Sequence, residues 1–109
     1  MNDRELLELA AKAAEIETKS DERGLMTMAS GPFQVAWNPL QNDGDALRLA
    51  VKVGMVIRLS PYGDHWVDVE AGELLEISVH EESTHDPYYN TRLAIVRAAA
   101  EIGRQMEVA

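Results

Sequence analysis

The stretch from Trp37 to Gly54, WNPLQNDGDALRLAVKVG, constrains this chain more than any other. Asn38 precedes Pro39, whose ring pushes it out of the helical region towards extended backbone. Asn42 or Asp43 then offers a side-chain oxygen to the orphan N–H groups of a helix start. Asp45 adds negative charge in the first turn, where the helix dipole favours it. Gly54 closes the helix in the left-handed conformation that glycine adopts at little cost. This helix joins an N-terminal helix–hairpin unit to a C-terminal meander–helix unit.

Upstream, Asn2 or Asp3 opens a first helix, with Glu5 at the position of a capping-box partner of Asn2. Leu6, Leu9, Ala10, Ala13 and Ile16 recur at helical spacing and form its expected buried stripe, while Glu8 and Lys12 make an i,i+4 pair on the opposite face. The many alanines point to close approach of a neighbouring element. From Glu17 to Ala36 the signal is weaker. SDERG is turn chemistry, with Gly24 able to take positive φ, between flanks Ile16 to Lys19 and Leu25 to Met28 that suit a hairpin. Ser30-Gly31-Pro32 breaks it, and Phe33, Val35 and Trp37 alternate with Gln34 and Ala36.

After Gly54 the apolar period falls to two. Met55, Ile57 and Leu59 alternate with Val56, Arg58 and Ser60, Val67 and Val69 with Trp66, Asp68 and Glu70, and Leu75, Ile77 and Val79 with Leu74, Glu76 and Ser78, which reads as an antiparallel meander. A three-residue loop Glu70-Ala71-Gly72 pairs Val67 with Leu75 and keeps the apolar side chains on one face. The same logic across SPYGD pairs Ile57 with Val67, leaving Arg58, Trp66 and Glu76 in a row on the outer face. Asp86 caps and Pro87 starts a last helix, where a missing N–H costs nothing. Its expected inner stripe is Tyr88, Arg92, Ile95, Val96, Ala99, Ile102, Gly103 and Met106. The fold class is therefore α+β, in the order α, β-hairpin, α, β, β, β, α, within a single domain spanning residues 1–109.

RELLELAAKAA (Arg4 to Ala14), WNPLQNDGDALRLAVK (Trp37 to Lys52) and the DP, TR, AIVRAAAEIGR pattern from Asp86 to Arg104 together resemble the phage ABA-sandwich domain, a family of small proteins encoded in phages and prophages. The resemblance covers the three helices. It implies helices packed on a central sheet and a viral gene of origin, and it contributes no catalytic residues. Such a sandwich covers both faces of its sheet, whereas the period-two strands expect one wet face. Val56, Trp66 and Leu74 would let a helix cover part of the outer one.

Composition narrows the function classes. There are no cysteines, so disulfides and thiolate metal sites are excluded. Nineteen acids against ten Lys and Arg give a net charge of −9, which argues against direct binding of nucleic acid or anionic lipid. MNDRELLELAAKAAEIE is amphipathic and acidic, unlike a signal peptide, and no apolar run reaches the length of a membrane span. With the resemblance, this places the expected location in the cytoplasm of a bacterial host cell.

Candidate chemistry is sparse. His65, His80 and His85, near Asp64, Glu81, Glu82 and Asp86, offer ligand types that suit a divalent metal. In the meander His65 and His80 fall on opposite faces, so no metal site is expected. Asp43 and Asp45 read as cap and dipole partners rather than an acid–base pair. No catalytic or cofactor-binding residues and no cofactor are expected. Between Arg58 and Arg92 there is no Lys or Arg, whereas Asp64, Asp68, Glu70, Glu73, Glu76, Glu81, Glu82 and Asp86 all fall there. The second and third helices carry Arg48, Lys52, Arg92, Arg97 and Arg104.

The leading expectation is a non-enzymatic protein-binding module. Its surface would comprise Arg58, Trp66, Asp68, Glu70, Glu73 and Glu76, and its partner a host protein with a basic surface, such as a nucleic-acid-binding or defence protein held inactive. The runner-up is an enzyme or small-ligand binder with a pocket near Trp37, the second helix and the last helix. A third reading is homo-oligomerisation, the acidic edge meeting the basic helices of a second copy.

Overall fold

A computed structural model describes residues 1–21, 23, 25–61 and 64–108. The elements run α1 (Asp3–Ala13), β1 (Thr18–Ser20), β2 (Met26–Ser30), β3 (Phe33–Ala36), α2 (Asp43–Val53), β4 (Val56–Leu59), β5 (Val67–Ala71), β6 (Ile77–Glu81) and α3 (Pro87–Val108). The fold is α+β, with three helices and two three-stranded antiparallel sheets, ordered β1-β2-β3 and β4-β5-β6, and with helix packed against sheet.

α2 forms as its punctuation dictates. Asn42 accepts the Asp45 N–H at 2.8 Å, and Gly54 takes φ 81 and returns its N–H to Ala50. Asn2 caps α1 through the Glu5 N–H. At α3 the Asp86 carboxylate accepts the N–H groups of Tyr88 and Tyr89. The expected hairpin after α1 gains a third strand. Gly31 and Pro32 do not end it but make the two-residue turn between β2 and β3, pairing Ser30 with Phe33. Phe33 and Val35 are exposed, whereas Trp37, past the end of β3, is buried. Gly24 and part of SPYGD (Tyr62 and Gly63) lie outside the described residues.

The meander forms in the expected strand order with a different register. Leu59, not Ile57, faces Val67, and Val67 faces Glu81 rather than Leu75. The three-residue loop is replaced by a longer one from Gly72 to Glu76, in which Leu75 sits at φ 56 and the Glu76 carboxylate accepts the Leu74 N–H. Both slips are even, so the faces keep their identity. Val67, Val69, Ala71 and Ile77 are buried, with Ile57 and Val79 partly so, while Leu75 is exposed. The reason is packing: this register sets Val69 beside Val79 and Ala71 beside Ile77 under α3. Each valine or isoleucine so buried stabilises by about 1.5–3 kcal/mol. The outer row is therefore Arg58, Asp68, His80, with Trp66 and Glu76 outside the strands.

α3 lies on β5 and β6, and α1 and α2 both pack on α3. The outer face of β4-β5-β6 stays wet: Val56, Arg58, Ser78 and His80 are exposed, and Leu74 stands in the loop fully in solvent. Among the described residues no helix covers this outer face. The α1 stripe is rotated by about one residue from expectation, burying Leu7, Ala10, Ala11 and Ala14. In α3 the ends Tyr88 and Met106 are exposed, and Asn90, Ala94, Ala98 and Ala100 join the buried set.

Candidate functional site: an apolar groove beside an edge strand

α2 leans on α3 rather than on β4. Arg92 fixes that lean: its Nε donates to the Leu40 carbonyl at 2.9 Å and its Nη1 meets Asp43 at 2.7 Å. The stand-off leaves an open groove of about 850 Å³. Ala46 and Leu47 line it from α2, Ile57 and Leu59 from β4, and Tyr88 and Ile95 from α3. Trp66 adds an aromatic wall, and Asp43, Asp64 and Arg92 supply charge. Leu47, Leu59 and Tyr88 are 61 %, 67 % and 68 % exposed, so the groove presents large apolar side chains to water.

Asn90 holds two of the loops around this groove. Fully buried on α3, it donates to the carbonyls of His65 and Thr84 at 2.8 and 2.9 Å and accepts from the Thr84 hydroxyl and N–H. Among the described residues no buried polar side-chain atom lacks a partner. The signal for Asn90 was present in the sequence, four residues before Ala94 on the buried face, but its polarity masked it.

The expected acidic surface is largely occupied by its own partners. Glu70 pairs with Arg58, and Asp68 pairs with His80, which also lies 3.6 Å from Glu82. The hydrogen bond that the His80 ring donates to the Asp68 carboxylate raises the His80 pKa above 6.5; partial desolvation opposes it, and the charges of Asp68 and Glu82 add to the rise. Trp66 stacks on the His80 ring at 6.0 Å and 27°. Glu76 is turned into its own loop, and Glu73 is exposed without an ion pair among the described residues. Arg58, Trp66, Asp68 and Glu70 are thus neighbours, while Glu73 and Glu76 stand apart in the β5–β6 loop. Glu81 is buried beneath Arg97, 2.7 Å away. Burial pushes its carboxyl pKa up, but hydrogen bonds from Ser83 and Arg97 more than offset this, leaving it lowered.

His65 lies edge-on to His85 at 5.0 Å, away from the His80 cluster. Among the described residues no three metal-ligating side chains converge. Asp43 is engaged by Arg92, and Asp45 by Arg48 and the Asn38 N–H. Trp37, 3 % exposed, plugs the core and does not line the groove. Among the described residues no helix is long and apolar enough to cross a membrane. No protein-family model, curated protein or solved structure matches the chain.

Proposed function

We propose that this chain is a phage-type accessory protein that works without catalysis, by binding another protein, and that the groove between α2, β4 and α3 is where the partner seats. The single observation that carries this reading is the set of large apolar side chains, Leu47, Leu59 and Tyr88, held in water around that groove. Leaving such groups exposed forgoes about 25 cal/mol for each Å² of apolar surface, a cost that a partner's apolar side chains would recover. The groove's polar groups do not converge on one point, as a small substrate would need; Arg92 and Asp43 are spent on each other. The acidic face is the weaker candidate, because docking there would have to displace the Arg58–Glu70 and Asp68–His80 pairs. A basic host protein remains the partner class that the net charge of −9 favours.

A peptide-display selection on immobilised wild type tests this, with counter-screens on Leu59→Asp and on a variant carrying Asp68→Asn, Glu70→Gln, Glu73→Gln and Glu76→Gln. Leu59 is exposed at the end of β4, so its replacement spares the core. Clones lost on Leu59→Asp and kept on the neutralised variant are expected. Clones lost only on the neutralised variant would move the site to the acidic face. No enrichment over an unrelated protein would sink the protein-binding reading.

A further inference from the structure

We infer that β4 is a docking edge: the partner contributes an extended segment that adds as a strand alongside β4, sends alternate apolar side chains into the groove and sets a Lys or Arg against Asp64. This rests on the reading that the groove binds a polypeptide, and it supplies the mode and the chemistry of the occupant.

The phase of the β4–β5 ladder exposes the edge. The Ser60 N–H donates to the Trp66 carbonyl at 3.2 Å, which makes Ser60 and Trp66 a hydrogen-bonded pair. In an antiparallel ladder such pairs alternate, so Arg58 with Asp68 and Val56 with Glu70 are bonded pairs too. The N–H and C=O groups of Ile57 and Leu59 therefore point the other way, off the sheet. β4 is an outer strand, and among the described residues no other backbone group bonds to these. They repeat at the two-residue spacing that an incoming strand can read.

Side chains and charge agree with the backbone. Ile57 and Leu59 are the two residues of β4 that line the groove. An added residue directly opposite either one projects onto the same face, and so into the groove. Asp64 stands on the groove wall with no cationic partner among the described residues. With a net charge of −9 behind it, that carboxylate favours a segment bearing Lys or Arg over an acidic one. The opposite edge offers less. The outward backbone groups of β6, at Ser78 and His80, border a groove walled by Glu76, Arg97, Glu101 and Gln105, with little apolar surface to bury.

The test uses short synthetic peptides with Val or Ile at alternate positions and one terminal lysine, a matched set with glutamate for the lysine, and a set N-methylated along the backbone. Amide hydrogen exchange is followed at Ile57 and Leu59, with light scattering of the protein alone. Near-saturating lysine peptide is expected to slow exchange of those two amides by about tenfold. The glutamate set should bind more weakly, and the N-methylated set not at all, although its side chains are unchanged. Binding without protection of Ile57 and Leu59 would overturn strand addition and leave the protein-binding reading standing. Protection already present in a dimer without peptide would overturn it in favour of a second copy. If display clones bind but no alternating peptide does, the inference fails alone; if neither binds, both readings fail.

Discussion

At Gly103 the backbones of α3 and α1 come so close that a Cβ would run into the Leu9 carbonyl. Ala10, Ala11 and Ala14 on one helix and Ala99 on the other are buried in the same core, and their small volume permits that approach. Gly103→Ala would gain about 1 kcal/mol of helix propensity. It would meet main-chain atoms that no rotamer change can move, and such overpacking costs about 1–3 kcal/mol. The substitution is therefore expected to lower the urea midpoint of unfolding. An unchanged or raised midpoint would show that α1 does not seat there. Asn90 works in the opposite sense, filling buried space with four hydrogen bonds rather than with none.

Among the elements, α2 carries its own instructions at both ends. Gly54 sits at φ 81 with open space where a Cβ would go, so the cost of Gly54→Ala is one of backbone conformation alone. That cost is roughly 1–2 kcal/mol, and Gly54→Asn should recover part of it because asparagine tolerates the left-handed region. Thermal unfolding of the pair checks this; equal loss for both would mean that the helix end is held by something other than its conformation. The meander shows what an element cannot specify by itself. Alternation set which side chains of β5 and β6 face α3, but not how far one strand slides along the other. The slide was decided by where Ile77 and Val79 fit beneath α3, with the Gly72–Glu76 loop bending to suit.

For the molecule as a whole, folding offsets part of the sequence's separation of acids from bases. Arg58 reaches Glu70, Arg92 reaches Asp43 and Arg97 reaches Glu81, each joining side chains that chain order keeps apart. The Arg97–Glu81 pair and the separate Asp68–His80 pair give stability opposite pH signs. The lowered pKa of Glu81 contributes stability that is present above its ordinary value of 4.5 and is lost as pH falls through the folded value. The raised pKa of His80 contributes stability that is present below 6.5 and is lost as pH rises through its folded value. Arg97→Met leaves Glu81 buried with one fewer donor, which should cost about 1–3 kcal/mol at neutral pH. The same change should flatten the fall in stability on the acid side. Urea titrations across a pH series measure both, and an unaltered acid limb would mean that Arg97 does not support the Glu81 charge.

What the sequence settled by itself was local: the three helices and their caps, the period-two strands, the α+β class and the inward parity of Val67 and Val69. These depend on backbone preferences and on neighbours a few residues away, so they are written in consecutive letters. The third strand after Ser30 likewise pairs locally, across Gly31-Pro32. The sliding of β4 and β6 along β5, the pairing of the acidic face and the groove beside β4 were decided only when distant segments met. Their energies come from the fit of side chains remote in the chain; at the groove, Arg92 and the buried Ala46, Leu49 and Ala50 seat α2 on α3 rather than on β4. No short stretch of sequence encodes that distance.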